Sequence, residues 1–249
     1  MNPQLKPLKV TLIGDTCIDE YQYGSVDRLS PEAPVPIFVP ERREIKHGMA
    51  ANVADNLEKL GVTVQKYFGE PSTKIRMIDR KSKQHIIRVD RDVASSPLMF
   101  NTNIDCNVDA FVISDYDKGF VSYELIEQII GTGRPVFIDT KKTDLARLQG
   151  AFVKINREEH QRARTYCDNI IVTMGDRGAI YQDQQFPTSK IEITDVCGAG
   201  DTFLSALCFW YLQTNDISAA IKFAIRAASI TVKHVGVYAP TIQEIQCQD

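Results

Sequence analysis

The first constraints come from what this sequence does not contain. No apolar run approaches the ~20 residues that a membrane span requires, and Met1 to Lys9 lacks the apolar core of an export signal. The expectation is a cytoplasmic protein that engages no membrane. Six cysteines (17, 106, 167, 197, 208, 247) are scattered without a Cys-x-x-Cys pair, and four histidines make no ligand cluster with them. They read as reduced thiols, not as a disulfide framework or a zinc site. Neither sign of charge dominates: a net charge of −3 leaves no electrostatic footprint for nucleic acid. Internal repeats and low-complexity segments are absent. So is Gly-x-x-x-x-Gly-Lys-Ser/Thr, which excludes a P-loop enzyme.

What is present is enough apolar residue, 43% of 249, to bury one large core in a single domain over 1–249. Lys9 to Ile13 is a short apolar run ending in Gly14-Asp15, a buried first strand with a functional turn at its end. Asp15 and Asp19 are spaced to reach one pocket or simply to cap turns. Ser30-Pro-Glu-Ala-Pro-Val-Pro36 is too proline-rich for a central strand, and Val35 to Val39 reads as an edge strand. Val53, Leu57 and Leu60 fall on one helical face that Gly61 closes; Asn52 near the start of that helix is a cap or a ligand for hydroxyls. Val62 to Phe68 alternates as a strand. Residues 74–79 and 85–90 read as an antiparallel hairpin, with Lys74 and Arg76 on one face. That face is either solvated or suited to a phosphate-bearing substrate.

From Val108 onward strands and helices alternate. Strands are expected over Val108–Ser114, Pro135–Ile138, Phe152–Ile155 and Ile170–Thr173. Helices are expected over Tyr123–Ile130 and Arg157–Tyr166, and a last long helix is capped at Asn215-Asp-Ile217 and runs through His234. Polar residues recur at the C-terminal strand ends, where open parallel sheets bind ligands. The expected architecture is α/β with a mostly parallel sheet covered by helices on both faces. The hairpin and the proline-rich edge strand, about 16–46 and 72–92, form a small β lid.

The chain is organised around Asp195-Val-Cys-Gly-Ala-Gly-Asp201-Thr-Phe. It follows the alternating run Ile191 to Thr194 and precedes the apolar segment Phe203 to Leu212, so it reads as strand, glycine turn and helix. Glycines permit close backbone approach, and first-turn amides of a helix lack partners within it. Such a helix start suits phosphate. Asp201 in the same turn is either a helix N-cap or a base taking a proton from a hydroxyl beside that phosphate. Gly198-Ala-Gly200 runs into Asp-Thr-Phe near the chain's end, which disfavours a dinucleotide fingerprint.

These motifs resemble the ribokinase-like (PfkB) carbohydrate kinases along nearly the whole chain. The Gly-Ala-Gly-Asp-Thr-Phe signature carries most of the likeness. Gly14-Asp-x-x-x-Asp19, Ser30-Pro-Glu-Ala-Pro-Val-Pro36, Ser114-Asp-Tyr-Asp-Lys-Gly119 and Ile138-Asp-Thr-Lys141 are similar to the heptose-7-phosphate kinase subgroup. Asn156-x-x-Glu159 resembles the family's metal and phosphate motif, and Thr173-Met-Gly-Asp-Arg-Gly178 its nucleotide loop. The resemblance implies a three-layer α/β/α sandwich and transfer of the γ-phosphoryl group of ATP, with Mg²⁺, to a hydroxyl of a sugar or sugar phosphate. It implies Asp201 as base, with the amides of Gly198, Ala199 and Gly200 holding developing charge. Asn156 serves the ATP phosphates, Glu159 the Mg²⁺ through water, and Thr173, Gly175 and Gly178 line the nucleotide. Asp15, Asp19, Gly48 and Asn52 hold sugar hydroxyls, and Lys74 and Arg76 a sugar phosphate. A homodimer through the lid is a further expectation. Other readings of the same fold are a kinase for another sugar or a nucleoside, or a binding relative without turnover. The resemblance departs at Met49, where the subgroup usually has glycine. It departs again after Gly69 and between Asn156 and Ile170, where helices of typical members are missing.

Overall fold

The computed structural model describes residues 5–247. Among the described residues, twelve strands divide between two sheets. The larger is built from β1 (Leu8–Gly14), β4 (Val62–Phe68), β7 (Ala110–Asp115), β8 (Val136–Thr140), β9 (Phe152–Asn156), β10 (Ile170–Thr173), β11 (Ala179–Tyr181) and β12 (Gln184–Phe186). Its order is β12-β11-β10-β9-β8-β7-β1-β4, parallel from β4 to β10, with the short pair β11 and β12 added antiparallel at one edge. The smaller sheet is built from β2 (Thr16–Leu29), β3 (Pro36–Met49), β5 (Ser72–Asp79) and β6 (His85–Arg91), in the order β3-β2-β5-β6. Six α-helices accompany them among the described residues: α1 (Ala50–Lys59), α2 (Tyr123–Ile130), α3 (Arg157–Arg162), α4 (Ala199–Thr214), α5 (Ile217–Thr231) and α6 (Ile242–Gln246).

The strand alternation sorts the core. On β7, Ala110 and Val112 face the cluster formed with Val53 and Leu57 of α1, Leu204 and Leu207 of α4 and Ile221 of α5. Phe111 and Ile113 face the opposite cluster, with Leu125, Ile126 and Ile129 of α2. Side chains two apart share a face, so one central strand serves two cores and the fold is a three-layer sandwich. No described helix is long and apolar enough to cross a membrane.

Three sequence expectations are corrected. Ile191–Thr194 is not a strand: the Thr194 and Asp195 amides both donate to the Val232 carbonyl, and Ile191 and Ile193 line a cavity instead of joining the sheet. The helix expected over Arg157–Tyr166 stops at Arg162, because Ala163 turns extended and the Arg164 amide donates to the Thr143 carbonyl at 2.8 Å. The last long helix ends at Thr231, short of His234. The alternation of β2, and the short strands and helix β11, β12 and α6, carry too little periodic signal to be read from sequence.

Candidate active site

The C-terminal ends of β1, β7, β8 and β9 meet the N-terminus of α4. Asp201 lies in the first turn of α4, and its side chain caps nothing: the N-cap position is Gly198, with φ +77°. Its carboxylate instead accepts from Asn52 Nδ2 at 2.8 Å and from Tyr116 Oη at 3.3 Å. Asn52 is likewise not a cap, because α1 has no side-chain cap; it is buried and aimed at Asp201. Burial pushes the Asp201 carboxyl up from 3.8 to about 6, against the opposing donation from Asn52. Burial raises the Tyr116 hydroxyl well above its ordinary range too, so it stays a donor.

Tyr116 ties a second acid to the first. Its backbone amide donates to Asp15 Oδ2 at 2.8 Å while its hydroxyl reaches Asp201. Asp15 is buried, its carboxyl is raised by that burial, and its Oδ1 has no hydrogen-bond partner. An orphaned acceptor at a buried site is a position for a ligand hydroxyl. Asp19, on the first stretch of β2, is salt-bridged to Arg76 of β5. A Cβ at Gly48 would lie 2.5 Å from Asp19 Oδ2, so glycine there admits the carboxylate. Lys74 sits opposite Asp19 in the β2–β5 register.

The signature loop is held by Asp195, whose carboxylate accepts from the Cys197 amide at 3.0 Å and the Gly236 amide at 2.8 Å. A Cβ on Gly198 would meet Asn52 Nδ2 at 2.8 Å, which is why that turn is glycine. The Ala199 amide leans on the Val196 carbonyl at 3.3 Å, leaving it the weakest of the three expected anion donors. Beyond α4 lies a cavity of about 630 Å³ lined by Thr173, Gly175, Gly178, Ala199, Gly200 and Phe203, among others. Its size and position suit a nucleotide.

Asn156 and Glu159 are brought together, but with each other. Asn156 Oδ1 accepts from the Glu159 amide at 2.9 Å and Glu159 Oε2 from the Asn156 amide at 2.7 Å, a reciprocal capping box. The Glu159 carboxylate also pairs with Lys141. Among the described residues no group of three or more His, Cys, Asp or Glu side chains could hold a metal ion. This donor set fits a largely hydrated Mg²⁺ carried by nucleotide phosphates, not a protein cage. Sequence reasoning gave no role to Tyr116, Asp139 or Lys154. Tyr116 and Asp139 were visible inside the Ser114–Gly119 and Ile138–Lys141 motifs; Lys154 gave no signal, because an ion pair between separate strands has no sequence spacing.

The ribokinase of Thermotoga maritima matches this fold with a TM-score of 0.73 at 16% identity, over 96% of this chain and 98% of its own. A ribokinase from Arabidopsis thaliana, complexed with ribose and ATP, matches with a TM-score of 0.71 at 17% identity, over 97% and 98%. The architecture is therefore ribokinase-like. Residues 142–244 match the model of the pfkB family carbohydrate kinases. The bifunctional protein HldE of a Nitratiruptor species is 30% identical over 302 aligned positions, covering 97% of this chain. The chain spans 65% of that relative's length. With 249 residues facing 302 positions, the relative carries internal segments that this chain omits.

Proposed function

We propose that the chain transfers the γ-phosphoryl group of ATP to a hydroxyl of a sugar phosphate, heptose 7-phosphate giving heptose 1,7-bisphosphate being the favoured substrate pair. The observation that carries this is Asp201. A buried carboxyl poised near 6 is held by two side-chain donors on the first turn of a helix that opens onto a nucleotide-sized cavity. A base with that affinity takes a hydroxyl proton at neutral pH. ATP would occupy the cavity lined by Thr173, Gly175 and Gly178, with Asn156 near its phosphates and Glu159 meeting Mg²⁺ through water. When bound, Mg²⁺ supplies charge neutralisation on the phosphates. The amides of Gly198, Ala199 and Gly200 stabilise the charge that develops there. Asp15, Asp19, Gly48 and Asn52 orient the sugar.

A phosphate on the substrate is favoured by the small sheet. Cross-strand partners place Lys46, Asp19 and Lys74 in one row and Tyr21 and Arg76 in the next, all on one face. Lys46 reaches the Gly236 loop, where a Cβ would come within 2.5 Å of its ammonium, so this face looks onto the body of the molecule. The opposite face exposes Ile45 and Ile87, each about half accessible. That apolar face supports a homodimer through the lid, which light scattering on purified protein would test. The sequence relationship to HldE supports the heptose assignment.

The test is ADP release from Mg·ATP across heptose, hexose and pentose phosphates, free sugars and nucleosides, with Asp201→Asn as matched control. Turnover confined to one phosphosugar and lost in the variant is expected. Turnover of an unphosphorylated sugar or nucleoside would overturn the substrate assignment. Binding without turnover across the panel would overturn the kinase reading.

A further inference from the structure

Lys154 is a buried cation on an interior strand. It lies near the end of β9, a strand inside the sheet whose neighbours Val153 and Ile155 are fully buried. With a period of two, those neighbours join the α2-side cluster, while Phe152 and Lys154 emerge toward α4. The Lys154 side chain is 5% exposed, and its ammonium pairs with Asp139 Oδ2 at 2.6 Å. It lies where a Cβ on Gly200 would meet it at 2.9 Å, directly against the first turn of α4. A helix N-terminus already carries partial positive charge, so a cation there is repelled. A buried ion pair seldom stabilises relative to apolar residues of the same size. The partner is also incompletely used, since Asp139 Oδ1 is buried without a hydrogen bond. Lys154 also experiences the charges of Glu159 and Asp201.

We infer that Lys154 contacts the phosphoryl group in transfer, and that Asp139 is the positioning residue that holds its ammonium beneath Gly200. The inference rests on the kinase reading above. In the step, the acceptor hydroxyl gives its proton to Asp201, and its oxygen forms the new bond to the γ-phosphorus. The bond from that phosphorus to the β,γ-bridging oxygen breaks, and its electron pair stays on ADP. Lys154 exchanges no proton. Its charge, with the amides of the first turn, offsets the negative charge on the three oxygens in flight. Gly200 is glycine because a side chain would stand between that ammonium and the transferred group. The net effect of cation and helix terminus is a site that favours a third phosphate over its absence.

The test compares ADP with an ATP analogue whose β,γ bridge is an imido group, by calorimetry on wild type and Lys154→Met. The analogue's affinity is expected to fall at least tenfold while ADP affinity is unchanged. In turnover with the accepted sugar, kcat falls about 10²- to 10³-fold with sugar KM nearly constant, and Lys154→Arg recovers part of it. Asp139→Asn gives a smaller loss of the same kind. If Lys154→Met does not fold, the double variant Lys154→Met, Asp139→Leu carries the same comparison, because it leaves no buried charge unpaired. Equal loss of both nucleotides, or kcat within threefold of wild type, would overturn the assignment. Wild-type binding of nucleotides without turnover would sink the kinase reading alone, and the affinity ratio would still decide Lys154. If wild type binds neither nucleotide, both fall.

Discussion

The two sheets handle charge in opposite ways. At the C-terminal edge of the large sheet, Asp15, Asp115, Asp139, Lys154 and Asp201 are all buried, each within a small set of fixed partners. On the small sheet most ion pairs stand in water: Lys81–Asp27 and Arg88–Asp90 join side chains that are one-third to two-thirds exposed. In Asp19–Arg76, by contrast, both side chains are largely buried, and the pair lies where the small sheet meets the site. Burial amplifies electrostatics and water screens them. The large sheet's edge thus concentrates buried charge, and the small sheet leaves most of its charge to solvent.

The sharpest way to break that division is Asp201→Asn. It should lower kcat by about 10³-fold or more while sugar and ATP still bind, as measured by single-turnover kinetics and calorimetry. The same variant should melt higher at pH 8. A carboxyl raised from 3.8 to about 6 binds its proton more tightly in the fold. Its stabilising contribution is present below the unfolded value and is lost as pH rises through about 6. Removing the charge recovers about 1–3 kcal/mol. A variant that melts lower at pH 8 would show that Asp201 is not held at a cost to the fold.

In the wild type, kcat/KM should rise tenfold per pH unit on the acid side and level off above about 6, as Asp201 loses its proton to water and becomes the base. The flanking charges are Asp139 and Lys154, and Tyr116 remains a neutral donor. A limb displaced by two units or more would assign the base elsewhere. On the lid side, Lys74→Ala should raise KM for a phosphorylated sugar about tenfold, with kcat held within a few-fold. An equal effect on an unphosphorylated substrate would remove its phosphate role.

Met49 tests the hinge between the regions. It joins β3 to α1 at φ 60°, ψ −133°, a conformation for which glycine is suited, with its side chain buried. Met49→Ala keeps the strain and loses the packing, so it should cost about 2–4 kcal/mol in denaturant melts. Met49→Gly relieves about 1–3 kcal/mol of strain and should therefore be the more stable of the two. The smallest effect is expected from Lys81→Ala on the exposed lid pair, which should leave both melting temperature and kinetics unchanged.

How much of this was legible depends on the range of the interaction. The first strand, the run β7 to β10 and helices α1, α2, α4 and α5 follow from local alternation, amphipathic spacing and the Gly61 and Asp216 end signals. Asp201, Gly198 and Gly200 were visible as one contiguous motif. Glu159 was visible too, yet its observed partners are Lys141 and the Asn156 amide, because a capping box and a metal motif share the same spacing. Ile191–Thr194 shows the opposite failure. Its β-branched alternation is real, but the Thr194 and Asp195 amides go to the Val232 carbonyl, and Ile191 and Ile193 line the cavity wall.

The sequence alone determined an α/β chain with a glycine-turned helix start carrying one acid, because turns, helix ends and strand alternation act over a few residues. Only the tertiary structure decided that Asn52, 149 residues away, holds that acid. It likewise decided that Tyr116 ties the acid to Asp15, and that Lys154 stands beneath Gly200 with half of Asp139 unsatisfied. Those relations join strands and helices distant in the chain, and burial, which sets their strength, exists only once both cores have closed.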